Sequence, residues 1–162
     1  RVSNIYKIKL DQSDNAEEIS EKLSLLAAEK ILDNIDDIIE NNAEFIDQNH
    51  LKATYAKKIE KIEGLINWHD GAAKNIGKIN GLFPNPGAYF NFNGERYKIL
   101  KAEIGNGIGR IGEVISDKLE IACGKNQSIR ILEIQRQGKR SQKIEEFILE
   151  YKIKKGTLLS NV

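Results

Sequence analysis

Seven basic side chains carry the most informative chemistry in this chain: Lys98, Lys101, Arg110, Lys125, Arg130, Lys139 and Arg140. Ammonium and guanidinium groups spread over short strands and loops can follow a phosphate backbone, and a nearby aromatic ring can stack on a base. Side-chain alternation along a strand puts Arg96 and Lys98 on one face, and Lys98 and Lys101 on opposite faces. "RQGKR" (136–140) is a basic, glycine-centred loop, and "YKIKK" (151–155) adds a further cluster. Tyr89, Phe90, Phe92 and Tyr97 are the aromatics placed to stack, and the same alternation assigns at least two of them to a core.

Other reactive residues are sparse. His50 and His69 are the only histidines. They lack the further Cys, His or carboxylate ligands at the spacing a zinc site needs, so both read as surface or capping residues. Cys123 ends a strand and reads as a half-buried structural thiol. Lys125 beside it could depress its pKa, but no histidine lies near enough in sequence to form a nucleophile pair. "GNGIGRIG" (105–112) has three glycines, but a strand pattern follows it instead of the helix a dinucleotide fingerprint requires. It reads as a floppy hairpin loop. No catalytic constellation and no metal site is expected in this chain.

The elements that must position the basic residues follow from periodicity. "IYKIKL" (5–10) alternates like a short strand. Asp14-x-x-Glu17 has capping-box form, and apolar residues at 19, 23, 26, 27, 31, 35, 38 and 39 make one stripe along a long helix. Such a stripe must pack on something, and one strand supplies too little. Residues 43–66 have no clean period and read as an ordered linker. Asp70 then caps a short helix with Ala73, Ile76, Ile79 and Phe83 on one face.

Pro84 and Pro86, the only two prolines, end that helix at Leu82 or Phe83 and hold Phe83 and Asn85 extended. Gly87 then allows a sharp turn or a close backbone approach. Beyond it the period becomes two. "AYFNF" (88–92), Asn93-Gly94 and "ERYKILKAE" (95–103) form a hairpin signature. "GEVIS" (112–116), "LEIAC" (119–123) and "SIRILEI" (128–134) read as further strands, "QKIEEFILEY" (142–151) as a helix and "GTLLS" (156–160) as a last strand. The expectation is a mostly β fold with helices, in which residues 67–162 form a small closed barrel.

Composition sets the frame. Forty per cent of the 162 residues are hydrophobic, enough for a core. No apolar run approaches the roughly 20 residues of a membrane helix, so no membrane partner is expected. A lone cysteine fits a reducing compartment. Residues 1–72 carry 9 Lys/Arg against 15 Asp/Glu, and residues 73–162 carry 16 against 9. A basic second half suggests a polyanionic partner. The chain opens mid-pattern without Met, as a fragment of a larger protein would.

"ATYAKKI" (53–59), "EGLINW" (63–68), "FPNPGAYF" (83–90), "NGERYKILKAE" (93–103), "LEIACG" (119–124), "IRILEIQRQGKR" (129–140) and "GTLL" (156–159) occur in an order that resembles the C-terminal half of the methionyl-tRNA formyltransferase family. The resemblance implies a parent enzyme that transfers formyl from 10-formyltetrahydrofolate to the amino group of methionine on initiator tRNA. Its catalytic Asn, His and Asp belong to segments like "HPSLLP" and "DTG", which do not occur here, so no catalytic or cofactor-binding residue carries over. Residues 1–42 then resemble the end of the α/β, Rossmann-like catalytic domain, 43–66 a linker, and 67–162 an OB-like tRNA-binding domain. The implied partners are initiator Met-tRNA and the chain's own N-terminal catalytic domain, in a monomer of the bacterial cytoplasm. Asn85 stands where the family has Trp, Ile111 where it has a proline, and "QRQGKR" where it has "QPEGKK", which makes the 136–140 loop more basic. Two other readings stay open. One is a related formyltransferase acting on a sugar nucleotide or on formyl-tetrahydrofolate; the other is a stand-alone OB-like single-strand binder.

Overall fold

Asn93 and Gly94 take φ of 51° and 77°, the left-handed pair that a two-residue hairpin turn needs. They join strand β1 (Ala88–Phe92) to β2 (Glu95–Gly105), paired antiparallel from Ala88↔Ile99 to Phe92↔Glu95. This hairpin anchors the computed structural model, which describes residues 1–150 and 153–159. The chain divides into two compact units, Arg1–Lys58 and Ile59–Val162.

In the second unit, helix α2 (Ala72–Leu82) precedes the hairpin, and β3 (Val114–Ser116), β4 (Glu120–Cys123), β5 (Gln127–Arg136), β6 (Ser141–Lys143) and helix α3 (Ile144–Glu150) follow it. The first of the chain's three described α-helices, αN (Ala16–Ile39), belongs to the first unit. The strands form one antiparallel sheet in the order β1-β2-β5-β4-β3. β5 is the spine. One edge pairs with β2 along its length, while the other holds β4 at its start and β6 at its end.

The closed barrel expected from the strand count does not form, because β1 and β3 are the two ends of the strand path. Irregular backbone covers both ends instead. Ile66 N–H donates to Tyr89 O at 2.8 Å beside β1, and Val114 N–H donates to Thr157 O at 2.8 Å beside β3. Covered edges cannot recruit foreign strands. The expected last strand is reduced to a single bridge, Glu113↔Leu158, and Ser160 lies outside the described residues. β6, three polar residues, had no pattern to announce it; it exists because β5 offers an unpaired edge there. The expected helix over 142–151 starts at Ile144 for the same reason, and Tyr151 lies outside the described residues.

The core of this unit joins α2, α3 and the sheet through Trp68, Ile79, Phe90, Tyr97, Ile99, Ile121, Ile131 and Phe147, among others. Phe90 and Tyr97 stack with centroids 5.4 Å apart, and Phe147 meets Tyr97 edge-on at 6.0 Å. The bonds Phe83–Pro84 and Asn85–Pro86 are both cis. α2 ends at Leu82, Phe83 is extended, and Gly87 sits at φ 81° with Lys98 packed where a Cβ would be. The corner therefore aims the chain into β1 as its prolines require. Asp70 does not cap α2; Gly71 holds that position, and the Asp70 carboxylate accepts from Lys74 Nζ at 2.9 Å. Ala72, Asn75 and Ile79 are the buried face of α2, with Ile76 partly buried, so Ala73 points out, contrary to expectation.

The first unit is simpler. αN begins one residue later than expected, with a reciprocal capping box between Asn15 and Glu18. Asp14 and Glu17 do not form the box because Asp14 is occupied by Lys22 Nζ at 2.6 Å and by Asp11 N–H at 2.9 Å. Residues 5–10 are not a strand. Within the unit only Val2 and Ile46 form a bridge, so "IYKIKL" alternates without a partner.

Candidate nucleic-acid interface

β1 and β2 alternate, so Tyr89 and Asn91 face outward opposite Lys98 and Arg96. Tyr89 is nevertheless buried. Leu65 bridges to it, Gly64 approaches its ring edge, and the Arg96 guanidinium lies 4.1 Å from its ring centroid. Stacking on an aromatic face fixes the guanidinium plane while leaving its edge N–H groups free to donate. Among the described residues Arg96 makes no ion pair, whereas Arg136 is held by Glu95 in a bidentate pair at 2.5 and 2.6 Å. That pair holds the Glu95 carboxyl below its ordinary range.

Arg96 borders two adjoining surface clefts. One, about 520 Å³, is lined by Asn91, Asn93, Gly94 and Gln137 among others. The second, about 430 Å³, includes Lys98, Gln135, Gly138 and Lys139. Gln137 lines both, and its N–H donates to Arg96 O at 2.9 Å. The hairpin and the β5–β6 turn together thus build a surface whose cations suit anionic oxygens, with side-chain amides set among them.

This surface gathers only part of the expected set. Lys98 and Lys139 line the second cleft, and Arg140 follows Lys139 on the exposed loop. Lys98 Nζ also donates to Pro84 O at 3.3 Å, so it braces the proline corner as well. Lys101 lies further along β2 where the ladder to β5 is locally irregular. Lys125 is exposed in the β4–β5 turn, its stem against Gly71. Arg130 is engaged internally, 2.7 Å from Glu103 and 3.8 Å from Glu120. Lys152 of the 151–155 cluster lies outside the described residues. The residue that sequence reasoning passed over is Arg96. Its signal was present in its shared face with Lys98, but its value depends on the Tyr89 ring beneath it.

Arg110 sits on the loop between β2 and β3, which is not floppy. Gly107 N–H donates to Glu120 Oε1 at 2.8 Å and to Ser128 Oγ at 3.0 Å, and Ser128 Oγ–H donates to Glu120 Oε1 at 2.6 Å. A Cβ on Gly105 or Gly107 would collide with the Glu120 carboxylate or with Ile115. Glu120 is 8% exposed. Burial pushes its pKa up, but the donors from Ser128 and Gly107, with Arg130 nearby, outweigh it and hold the carboxyl below its ordinary range.

The remaining candidates divide between core packing and plain surface positions. Phe90, Tyr97 and Tyr89 are buried and Phe92 packs on the core, so the four aromatics offer no open stacking platform. His50 and His69 are exposed. Cys123 is fully buried, not half-buried. Burial pushes its thiol up, which Lys125 does nothing to reverse, and Asn75 Nδ2 donates to Sγ at 3.6 Å. Among the described residues no helix is long and apolar enough to cross a membrane, and no group of three or more His, Cys, Asp or Glu could hold a metal.

The chain is 59% identical to a methionyl-tRNA formyltransferase of Pelagibacter ubique (strain HTCC1062) over 99% of its own length and 52% of that protein. It is 44% identical to the enzyme of the same name from Rickettsia massiliae (strain Mtu5), over 93% of this chain and 49% of the relative. The chain therefore spans about half the length of the curated relatives it matches. Among solved structures, a variant of HypX from Aquifex aeolicus superposes with a TM-score of 0.67 at 14% identity, covering 88% of this chain and 27% of that one. HypX in complex with tetrahydrofolic acid gives 0.59, again at 14% identity, over 81% and 26%. These two show the fold alone. The profile described as "Formyl transferase, C-terminal domain" matches residues 58–152, the second unit almost entire. The chain belongs to the formyl transferase C-terminal domain family.

Proposed function

We propose that this chain is the tRNA-binding half of a methionyl-tRNA formyltransferase. The whole protein would transfer the formyl group of 10-formyltetrahydrofolate to the amino group of methionine on initiator tRNA, in the bacterial cytoplasm and as a monomer. The single observation that carries this reading is 59% identity across both units to a protein of that name. The formyl donor and the catalytic groups are assigned to the remaining half, because segments like "HPSLLP" and "DTG" do not occur among the 162 residues. Residues 1–42 would complete that catalytic domain, 43–66 would link, and 67–162 would hold tRNA as an OB-like unit with an open sheet.

In this reading Arg96, Lys98, Lys139 and Arg140 supply the central phosphate contacts. Lys101, Arg110 and Lys125, all exposed, extend the basic surface, and Arg130 acts mainly by holding Glu103 and Glu120. The clefts border a unit whose 17 Lys/Arg outnumber its 12 Asp/Glu, which favours approach of a polyanion.

The test is to titrate the 162-residue chain with initiator tRNA at a series of salt concentrations. The logarithm of the affinity should fall with the logarithm of salt by about 0.7–0.9 per phosphate contact. Arg96→Gln should lower that slope by about one contact and weaken binding several-fold. Lys139→Ala with Arg140→Ala should weaken it further without unfolding the chain. No binding at low salt, or binding indifferent to salt, would sink the proposal. The full-length protein should formylate Met-tRNA, and failure to do so would remove the enzymatic part.

A further inference from the structure

The clefts around Arg96 contain as many side-chain amides as cations, four of each. Asn91 and Asn93 line one, Gln135 the other, and Gln137 both. Gln135 is used internally, with Nε2 donating to Lys139 O at 3.0 Å. Among the described residues, no hydrogen bond from another protein group satisfies the side-chain amides of Asn91, Asn93 or Gln137. Each is on a fixed support: Asn91 opposite Arg96 in the hairpin ladder, Asn93 at φ 51° in its turn, and Gln137 tied by its N–H to Arg96 O.

A phosphate oxygen accepts hydrogen bonds and never donates one. Cations suffice for it, and an amide oxygen beside it is unfavourable. A primary amide, with one acceptor and two donor hydrogens, complements a group that both donates and accepts. In a polynucleotide backbone the ribose 2′-hydroxyl is that group, and it distinguishes RNA from DNA. The four aromatics that could have stacked on unpaired bases are buried or packed on the core, so the surface is not built to read splayed-out bases.

We propose that Asn91, Asn93 and Gln137 form a ribose-reading set beside the Arg96 phosphate anchor, selecting RNA over DNA through the 2′-hydroxyls of a helical segment. This rests on the nucleic-acid reading of the same surface. It adds that part of the affinity is specific to the sugar, where charge alone would be indifferent to it.

The experiment compares three hairpins of one sequence binding the 162-residue chain at moderate salt: RNA, DNA, and RNA with 2′-fluoro sugars, which keeps the A-form but has no hydroxyl hydrogen to donate. The RNA should bind about tenfold more tightly than either of the others, the worth of one or two neutral hydrogen bonds. Asn93→Gly, which keeps the left-handed turn, combined with Gln137→Ala should bring RNA down to the level of DNA. The same pair should leave DNA affinity and the thermal midpoint unchanged. If RNA and 2′-fluoro RNA bind alike and the double variant changes neither, the sugar-reading set is wrong while phosphate binding survives. If the variant weakens all three hairpins equally, the amides serve the surface generally and the inference fails. If no hairpin binds even at low salt, the nucleic-acid reading falls and takes this inference with it.

Discussion

The two units of the chain are stabilised by opposite means. In residues 1–58, which hold 8 Lys/Arg against 12 Asp/Glu, no residue is buried. αN is held mostly by near neighbours, the Asn15–Glu18 box, Lys22 on Asp14, and Lys30 between Glu29 and Asp33, with exposed polar contacts from Asn4 and Tyr6 to Asn34 added. In residues 59–162 the contacts are long-range, through a six-stranded sheet, two helices and a stacked aromatic core. Local interactions stabilise a helix by tenths of a kcal/mol each, and most helix stability in proteins comes from packing the apolar face. The second unit therefore has the means to fold by itself. αN, with Ile31 at 49% and Ile39 at 69% exposure, carries an apolar stripe without a core of its own.

The sharpest way to break that contrast is to delete one large side chain from each unit. Phe90 is 1% exposed and touches the rings of Trp68 and Tyr97. Phe90→Ala should cost about 3–5 kcal/mol, the range for emptying a packed aromatic site. Ile31→Ala, in the stripe of αN, should change stability by less than about 0.5 kcal/mol, as exposed substitutions do. Urea titration followed by tryptophan fluorescence reads the second unit, because Trp68 is the sole tryptophan, and helical circular dichroism in the same titration adds αN. Equal effects of the two substitutions would show that the stripe of αN is packed in solution.

A smaller effect tests whether the glycine loop is as firmly held as the core. Glu120→Gln removes the charge that Gly107, Ser128 and Arg130 surround. It should cost about 1–2 kcal/mol near neutral pH, since one buried donor is left poorly satisfied. The pH dependence follows from the depressed carboxyl pKa. Its contribution is present above the unfolded carboxylate range and is lost as pH falls through the lower folded value, where the unfolded chain already binds the proton. The variant's stability should thus fall less steeply than the parent's between about pH 5 and 3. Parallel curves would mean that Glu120 is not the group that ties the loop.

What the sequence disclosed divides along the same line. Locally encoded features were legible: the Asn93-Gly94 hairpin, the proline corner before β1, and the stripe of αN. Features set by a distant partner were not. "IYKIKL" has a strand's alternation, yet a strand exists only where another pairs with it. β6 has no pattern and forms because β5 extends past β4. Closure of the barrel depended on β1 meeting β3, which no short window encodes. The site divides likewise. Lys98 and Lys139 were found as members of basic stretches. That Arg130 is occupied depends on Glu103, 27 residues away, and that Arg96 is anchored depends on Tyr89 being buried.

The smallest expected effect lies at the start of αN, where Asn15 and Asp14 are rival caps one residue apart. Both residue types accept from the exposed N–H groups of a first turn, and each has a glutamate three residues on. The choice falls on Asn15 because Asp14 already has two donors, Lys22 Nζ and Asp11 N–H. Asn15→Ala should cost the helix about 1 kcal/mol, visible as lost helical circular dichroism on heating, while the Trp68 transition stays in place. Lys22→Ala should partly rescue it, because an unoccupied Asp14 can then cap the helix one residue earlier with Glu17 as its partner. If removing Lys22 makes Asn15→Ala worse instead of better, Asp14 is not a suppressed cap, and the start of αN is set by something other than competition for donors.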